Sequence, residues 1–346
     1  MPPDESSEAS SLVLRHSSDT EPGITRERRG RYWAYFDPNG KRITDRAEID
    51  RLNAIGLPPA YADAWFCTDP NGHLQATGID ARGRKQYRYH AHFRARRDSA
   101  KYEGLLEFGK KLPRLRRRVE QDLKRRELSR ETVLAAVIRL LDTQHLRVGN
   151  EEYAKANKSF GATTLRSRHL KRTGHNLMMR FTGKSGQMQE VRISDSSLKR
   201  VVKRCQELPG QMLFQYVNGD GVPQPVTSAD VNDYIKAATG GDFTAKHFRT
   251  WGASVIAFEQ MMKKADDARI SIQSVVEPVA EALGNTPAIS RKSYVHPKLL
   301  EAVKQDPRDP LDGMDRPPGR NRLSGAEVGL LEFLARSRRK ANSAAA

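Results

Sequence analysis

The stretch "KQYRYHAHFRARRDSAKYEGLLEF", residues 85–108, contains a change in the period of the chain. As far as His92, aromatic or small residues alternate with basic or His residues, which is the period-two pattern of a half-buried strand. From Arg97 to about residue 157 the pattern is helical, and in its second half Val133 and Val137 fall on one helix face with Leu140 and Leu141. The sequence therefore predicts an α+β protein in which a small β-rich domain is followed, near residue 96, by a larger and mainly helical domain.

The β-rich domain is predicted over residues 23–96. Two stretches, "RYWAYFDPNGKRI" and "AWFCTDPNGHLQATGID", each carry Asp-Pro-Asn-Gly, at residues 37–40 and 69–72. This tetrapeptide between two apolar runs predicts a turn between paired strands. Residues 1–22 are rich in Ser, Glu, Asp and Pro, which predicts a disordered tail.

The helical domain is predicted over residues 97–346, with β-hairpins and a C-terminal tail. The segments "HNLMMRF" and "MQEVRI", joined through "TGKSGQ", predict a strand pair. A capped helix is expected in "TSADVNDYIKAATGG", from Thr227 or Ser228 to Gly240, and another after Thr244. The stretch "GAEVGLLEFLARSRRK" predicts a last helix.

The stretch "LGNTPAISRKSYVHP", residues 283–297, has the punctuation of two helices. Gly284 suits the left-handed end of one helix. Thr286 can cap the next, and Pro287 fits its first turn. The short second helix then carries Tyr294 near its end, where a tyrosine serves either packing or chemistry.

The charge of the chain indicates a polyanionic partner. Sixty Lys and Arg residues against 42 Asp and Glu give a formal net charge of +18. Residues 81–126 alone contain 17 basic and 5 acidic residues, two thirds of that excess. Nucleic acid is the commonest partner of such a basic surface.

Several classes of protein are disfavoured by composition. The two cysteines, Cys67 and Cys205, form no CxxC motif, so a zinc site or a disulfide framework has little support and a reducing cytoplasm fits. The acidic, Ser-rich start does not have the pattern of a signal peptide. No apolar run approaches the roughly 20 residues needed to cross a bilayer, so no membrane contact is expected.

At positions widely separated in sequence, the chain offers the types of side chain that exchange of a phosphodiester needs, although their spacing alone does not group them. Such a reaction needs a nucleophile, positive donors for the nonbridging oxygens and an acid for the leaving oxygen. Tyrosine suits a reversible exchange because its phenolate is also a competent leaving group. Taken singly, each candidate also has a structural interpretation, such as an arginine that interacts with a helix dipole or a solvated hairpin lysine. The candidates are Arg147, Lys184, Lys246, Arg249, Asn285 and Tyr294.

The motifs around these residues resemble, in chain order, those of the type IB DNA topoisomerases of the poxvirus-like and bacterial branch. The matching segments are "LRVGNEEY" with Arg147, "FTGKSG" with Lys184, "KHFRTWG" with Arg249 and "GNTPAISRKSY" with Tyr294. The resemblance covers most of the chain. It implies the catalytic fold that these enzymes share with tyrosine recombinases.

The resemblance also implies roles for these residues. Tyr294 is expected to attack a DNA phosphodiester and form a 3′-phosphotyrosyl bond, while Arg147 and Arg249 hold the phosphoryl oxygens. Lys184 is expected to protonate the leaving 5′ oxygen, with Lys246 as a second acid or relay. Strand swivelling and religation would then relax supercoils without ATP, metal or another cofactor.

Asn285 is a departure from the viral and eukaryotic pattern, which has histidine before "TP". An asparagine can donate a hydrogen bond to a phosphate oxygen, but it can carry neither charge nor a transferable proton. The role implied for Asn285 is therefore a neutral oxyanion contact.

The expected partner is double-stranded DNA, enclosed by a monomer that closes as a clamp. The segment "GRKQYRY" is similar to the N-terminal strand of the family, whose tyrosines face DNA. Arg84, Lys85, Tyr87 and Tyr89 are therefore predicted to contact the duplex. A cytoplasmic, nucleoid-associated enzyme is expected.

Two other functions remain open at this point. A tyrosine recombinase shares the chemistry, but recombinases typically have His-x-x-Arg where this chain has Lys246 and Arg249, "LGH" where it has "LGN", and a helical N-terminal module. A DNA-binding protein without enzymatic activity accounts for the charge and the tyrosines, but not for the matches at catalytic positions.

Overall fold

The computed structural model describes residues 13–173, 176–263, 269–314 and 317–344. The chain divides into two compact units, Met1–Lys101 and Tyr102–Ala346. The predicted α+β class is confirmed, with a sheet in the first unit and mostly helices in the second.

The first unit contains a five-stranded antiparallel sheet with the order β2-β1-β3-β4-β5. A small core lies against it, centred on Tyr35, Leu52 and Phe66. The elements of this unit are β1 (Ile24–Arg29), β2 (Tyr32–Phe36), α1 (Arg46–Ala54), β3 (Ala62–Phe66), β4 (Leu74–Ile79) and β5 (Lys85–Tyr89).

The two predicted turns lead into different structures. Residues 69–72 join β3 to β4 as expected. After residues 37–40 the return strand is reduced to a single bridge between Phe36 and Arg42. The chain then enters helix α1, which was not predicted. This helix begins here because the Asp45 carboxylate accepts hydrogen bonds from the amides of Ala47 and Glu48.

The N-terminal segment differs from the predicted disordered tail wherever it is described. The Arg15 amide donates to the carbonyl of Asn71 at 3.0 Å. The Ser17 hydroxyl is buried and donates to the carbonyl of Leu74, also at 3.0 Å. The cause is that residues 71–74 offer polar partners that the composition of residues 13–22 does not reveal. Residues 1–12 of the predicted tail lie outside the described part.

Helix α2 (Ala91–Leu123) begins earlier than the residue pattern indicates. The strand-like alternation was expected to continue through His92, but β5 ends at Tyr89. The reason is local, since the Nδ1 atom of His90 accepts a hydrogen bond from the His92 amide and its carbonyl accepts one from Arg94. Both the predicted boundary near residue 96 and the division between the units therefore fall inside α2.

The second unit is built around helix α3 (Arg130–Gln144). Its residues from Thr132 to Ile138 are all buried, as are Leu140 and Leu141. A helix that is apolar nearly all round belongs in the centre of a core. The remaining helices are α4 (Glu151–Asn157), α5 (Ser196–Glu207), α6 (Ser228–Thr239), α7 (Ala245–Met262), α8 (Ile272–Leu283), α9 (Pro287–Ser293), α10 (Pro297–Gln305) and α11 (Gly325–Ala344).

Two small sheets complete the second unit. The predicted strand pair is confirmed as β7 (Asn176–Thr182) and β8 (Met188–Ile193), which pair antiparallel, and β6 (Leu170–Thr173) pairs with β7. A hairpin of β9 (Gln215–Val217) and β10 (Pro223–Pro225) forms the other sheet. Along the described ranges, no helix is long and apolar enough to cross a membrane.

Candidate active site

The turn between α8 and α9 positions Tyr294. Gly284 ends α8 in the left-handed region, at φ 59°. The Thr286 hydroxyl then caps α9 by accepting from the Ile289 amide, and Pro287 occupies the first turn. Tyr294 is the residue at which this short helix ends, and it is half-buried.

Arg249 approaches Tyr294 from helix α7. Its guanidinium carbon lies 4.9 Å from the centroid of the Tyr294 ring. The side chain is only 5% exposed and donates hydrogen bonds to the main-chain carbonyls of His145 and Leu283. Two carbonyls from different elements therefore fix this guanidinium beside the tyrosine.

Arg147 reaches the same place from the end of α3. The chain leaves α3 through His145, which has φ 51°, and turns again at Gly149, which has φ 104°. The guanidinium of Arg147 donates to Oδ1 of Asn285 at 2.8 Å. The structure thus brings together four of the predicted residues: Arg147, Arg249, Asn285 and Tyr294.

Asn285 has a donor group with no partner among the residues that the structure describes. Its Oδ1 faces Arg147, so its Nδ2 is the end that can donate. That Nδ2 atom is buried and has no hydrogen-bond partner within the described ranges. A buried unpaired donor beside two guanidiniums is suited to an anion.

The electrostatics of this cluster act on the ionisation of Tyr294. Burial raises the pKa of the Tyr294 phenol, but the charges of Arg249 and Arg147 and their hydrogen bonds to it outweigh burial, so the pKa lies below its usual value. Burial, with a further contribution from the charge of Arg147, lowers the pKa of Arg249 to about 10. Two close guanidiniums, of which that of Arg249 is buried, form a site that an anion would stabilise.

Lys184 and Lys246 lie at exposed positions, outside the cluster that the other four residues form. Lys184 begins the single turn at the tip of the β7–β8 hairpin, where Ser185 and Gly186 adopt φ values of 63° and 77°. Lys246 is in the first turn of α7, one turn before Arg249. Both lysines therefore face solvent.

The four predicted DNA contacts of the first unit lie on or beside β5. Tyr87 is 47% exposed, and its ring stacks with that of Tyr89 at a centroid distance of 6.2 Å. Arg84 and Lys85 already have acidic partners. Arg84 pairs with Asp80, and hydrogen bonds from Arg84 help to lower the pKa of that carboxyl to about 2. Lys85 pairs with Asp19.

Some residues of the site escaped prediction from the sequence. The His145 carbonyl receives Arg249, although no side-chain pattern marks a main-chain acceptor. Ser254 of α7 accepts a hydrogen bond from the His296 amide and lies 3.5 Å from the carbonyl of Tyr294, so it fastens both ends of the turn that follows α9. The sequence signal that could have identified Ser254 was a serine on an otherwise apolar helix face.

Comparison with known proteins identifies the family of the chain. Residues 90–309 match the family model described as the catalytic core of eukaryotic DNA topoisomerase I, and residues 32–80 match that of the N-terminal domain of bacterial DNA topoisomerase IB. The chain belongs to the type IB DNA topoisomerases. It is therefore an isomerase that acts on DNA.

Viral enzymes are among the relatives of this topoisomerase. DNA topoisomerase 1B of Acanthamoeba polyphaga mimivirus is 31% identical over 311 residues, which cover 84% of this chain and 92% of the relative. DNA topoisomerase 1B of vaccinia virus (strain Copenhagen) is 23% identical over 291 residues, covering 78% and 90%. DNA topoisomerase I of monkeypox virus is 24% identical over 292 residues, again covering 78% and 90%.

Proposed function

We propose that this topoisomerase relaxes supercoiled DNA through a transient covalent link at Tyr294, with neither ATP nor a metal ion. The observation that carries the proposal is the position of the Tyr294 phenol, next to two guanidiniums that lower its pKa. The phenolic oxygen forms a bond to phosphorus at the 3′ side of the cut, and the bond from phosphorus to the 5′ oxygen breaks. The 5′-hydroxyl later attacks the phosphotyrosyl bond and restores the strand.

Arg147 and Arg249 stabilise the pentacoordinate phosphorus. Their planar guanidiniums can each present two donors to phosphoryl oxygens, which a lysine cannot do. Asn285 adds the free Nδ2 donor described above. These three groups act on charge that develops in the transition state, so they are expected to raise the rate of the chemical step itself.

Lys184 donates the proton to the leaving 5′ oxygen. Its exposed position at a hairpin tip means that DNA binding must bring its ammonium to the cut site. A free alkoxide is a poor leaving group, so this proton transfer is needed. Lys246, one turn before Arg249, is the second candidate for the same role.

The duplex is the partner, held by a monomer that closes around it as a clamp. Arg84, Lys85, Tyr87 and Tyr89 supply contacts from the first unit, and the net charge of +18 supports binding to the phosphate backbone. Association with the nucleoid follows from the same charge.

The decisive experiment mixes the protein with supercoiled plasmid in the presence of EDTA and without ATP. The wild-type protein should relax the plasmid and leave a denaturant-stable adduct with DNA. Tyr294→Phe removes only the phenolic oxygen, so it should bind DNA and fold normally but form no adduct. Relaxation at a rate near wild type by this variant would show that Tyr294 is not the nucleophile.

The same assay separates the alternatives. A plasmid without paired recombination sites is not a substrate for a site-specific recombinase, so its relaxation counts against that function. A DNA-binding protein without enzymatic activity would give no adduct at all.

A further inference from the structure

Gln189 occupies an unexpected place on strand β8. Side chains alternate between the two faces of a strand, so Gln189 shares a face with Val191 and Ile193, which are 4% and 2% exposed. Met188, on the other face, is 53% exposed. At this end of β8 the apolar residue therefore faces solvent, and an amide continues the buried face. Packing of the core does not account for that arrangement.

The Gln189 side chain lies between two glycines that immediately precede candidate catalytic residues. A Cβ atom on Gly183, before Lys184, would lie 3.0 Å from Cγ of Gln189. A Cβ atom on Gly284, before Asn285, would lie 2.6 Å from its Nε2. Gln189 thus fills the space between the hairpin tip and the α8–α9 turn.

This contact closes a ring of links around the site. The Arg147 carbonyl accepts from the Ala162 amide at 2.8 Å, and two residues earlier the Phe160 amide donates to the carbonyl of Thr182, also at 2.8 Å. Thr182 leads into the hairpin tip. From the tip the ring passes through Gln189 to the α8–α9 turn, and the hydrogen bond from Arg147 to Asn285 completes it.

We propose that Gln189 is a positioning residue that sets the separation between the Lys184 hairpin and the Asn285 turn. The inference rests on the proposed function, in which Lys184 is the general acid. Gln189 acts through the reach of its side chain, because it meets both glycines by packing. A shorter side chain lets the hairpin move relative to the turn, and the ammonium of Lys184 then meets the 5′ oxygen less often.

Two variants separate reach from amide chemistry. Gln189→Asn keeps the amide but is one methylene shorter, whereas Gln189→Met keeps the length and lacks the amide. In single-turnover cleavage of ordinary DNA, Gln189→Asn should be about 10- to 100-fold slower than wild type, the scale expected for a small misplacement of a catalytic group. Gln189→Met should stay within a few-fold of wild type.

The cleavage rate on DNA with a 5′-bridging sulfur distinguishes positioning of the general acid from a merely structural role. A thiolate leaves without a proton, so the sulfur substrate should restore Gln189→Asn to near the wild-type rate. Glu190→Gln is the matched control: Glu190 is the next residue on the exposed face of β8, 54% exposed, and its variant should cleave both substrates normally. Melting temperatures establish that every variant is folded at the assay temperature.

Each contrary outcome has a distinct meaning. A wild-type rate for Gln189→Asn, or an equal defect on both substrates, overturns the positioning role. A slow Met variant beside a normal Asn variant shows that the amide, not the length of the side chain, is what matters.

Lys184→Ala is run in parallel. If sulfur restores Lys184→Ala but not Gln189→Asn, only the positioning role fails; if it restores neither, the general acid assignment fails as well.

Discussion

At the scale of single residues, the site is asymmetric in how firmly its groups are held. The guanidiniums of Arg147 and Arg249 are bound to acceptors that belong to the protein. The ammonium of Lys184 lies exposed on a hairpin. The groups proposed to stabilise charge are therefore fixed by the protein itself, and the proposed proton donor is not.

The contribution of Asn285 can be measured directly. If its Nδ2 donates one neutral hydrogen bond to the transition state, Asn285→Ala should slow cleavage by about 10- to 1,000-fold, the range for losing one such donor. Asn285→His should keep much of the activity, because an imidazole N–H can occupy similar space. Single-turnover cleavage rates test both, and a wild-type rate for the alanine variant would make Asn285 a residue of the helix boundary alone.

At the scale of elements, the punctuation of helices was the most predictable feature. Gly284, Thr286 and Pro287 have the predicted roles because each acts through its own backbone preference or cap. Helix α1 and the start of α2 were missed because their caps, Asp45 and His90, lie within segments of strand-like composition. In these segments a helix cap competes with a strand-like composition, and the sequence alone does not show which of the two the packing of the domain selects.

The loop that contains Gly161 should tolerate no side chain. A Cβ atom there would lie 2.6 Å from both the carbonyl oxygen of Arg147 and the amide nitrogen of Gly149. Because these are backbone atoms, Gly161→Ala must displace the segment that carries Arg147. We expect a lower melting temperature and slower cleavage of both ordinary and sulfur-containing DNA.

Gly104→Ala is the matched control for that substitution. Gly104 lies in α2, and apart from its chain neighbours and the nearby backbone of that helix, no described atom comes within 4 Å of the position that a methyl group would take. Alanine favours a helix over glycine by roughly 0.5–1 kcal/mol. The melting temperature of this variant should be unchanged or higher. Equal behaviour of the two variants would contradict the close approach at Gly161.

Helix α10 should lose stability in acid through His296. The ring caps α10 by accepting from the Lys298 amide, and it packs at 5.3 Å against Tyr102. Burial lowers the pKa of His296 to about 4 from 6.5, with nearby Lys298 adding to the effect and Glu301 opposing it. The neutral ring is therefore favoured in the fold, and stability should fall as the pH drops from about 6.5 towards 4.

His296→Asn isolates this contribution, since asparagine is a good helix cap that does not titrate. The melting temperature of the variant should depend less steeply on pH over that window, while other buried histidines keep their own effects in both proteins. Parallel curves for the variant and the wild type would show that His296 does not titrate on unfolding.

At the scale of the whole molecule, the basic excess and the two-part organisation were evident from the sequence. The sequence did not show that four site residues lie together, because they come from separate helices and turns of the second unit: Arg147, Arg249, Asn285 and Tyr294. Only their resemblance to a family grouped them. The acidic partner of Lys85 also could not be foreseen, since Asp19 lies in a segment predicted to be disordered.

The pairing of Lys85 with Asp19 gives a prediction for DNA affinity. Lys85→Gln should weaken binding about equally on unrelated duplexes and reduce the slope of log K against log salt by about 1. Asp19→Asn should tighten binding, because DNA no longer has to displace a carboxylate from Lys85. Binding measured across a salt series tests both.

Asp242→Asn is the control, since it frees Lys236 from an exposed ion pair outside the proposed DNA contacts. If it tightens binding as much as Asp19→Asn does, only the total charge matters. An affinity that does not change with salt would contradict the electrostatic basis of the proposed clamp.

The main-chain acceptors of Arg249 have a consequence for the energetics of turnover. A free arginine side chain carries about 2 kcal/mol of rotamer entropy. Because the carbonyls of His145 and Leu283 already hold this guanidinium, that entropy is lost when the chain folds and not again at each cleavage. Under the proposed mechanism, the exposed side chain of Lys184 still has rotamer entropy to lose when it reaches the cut site.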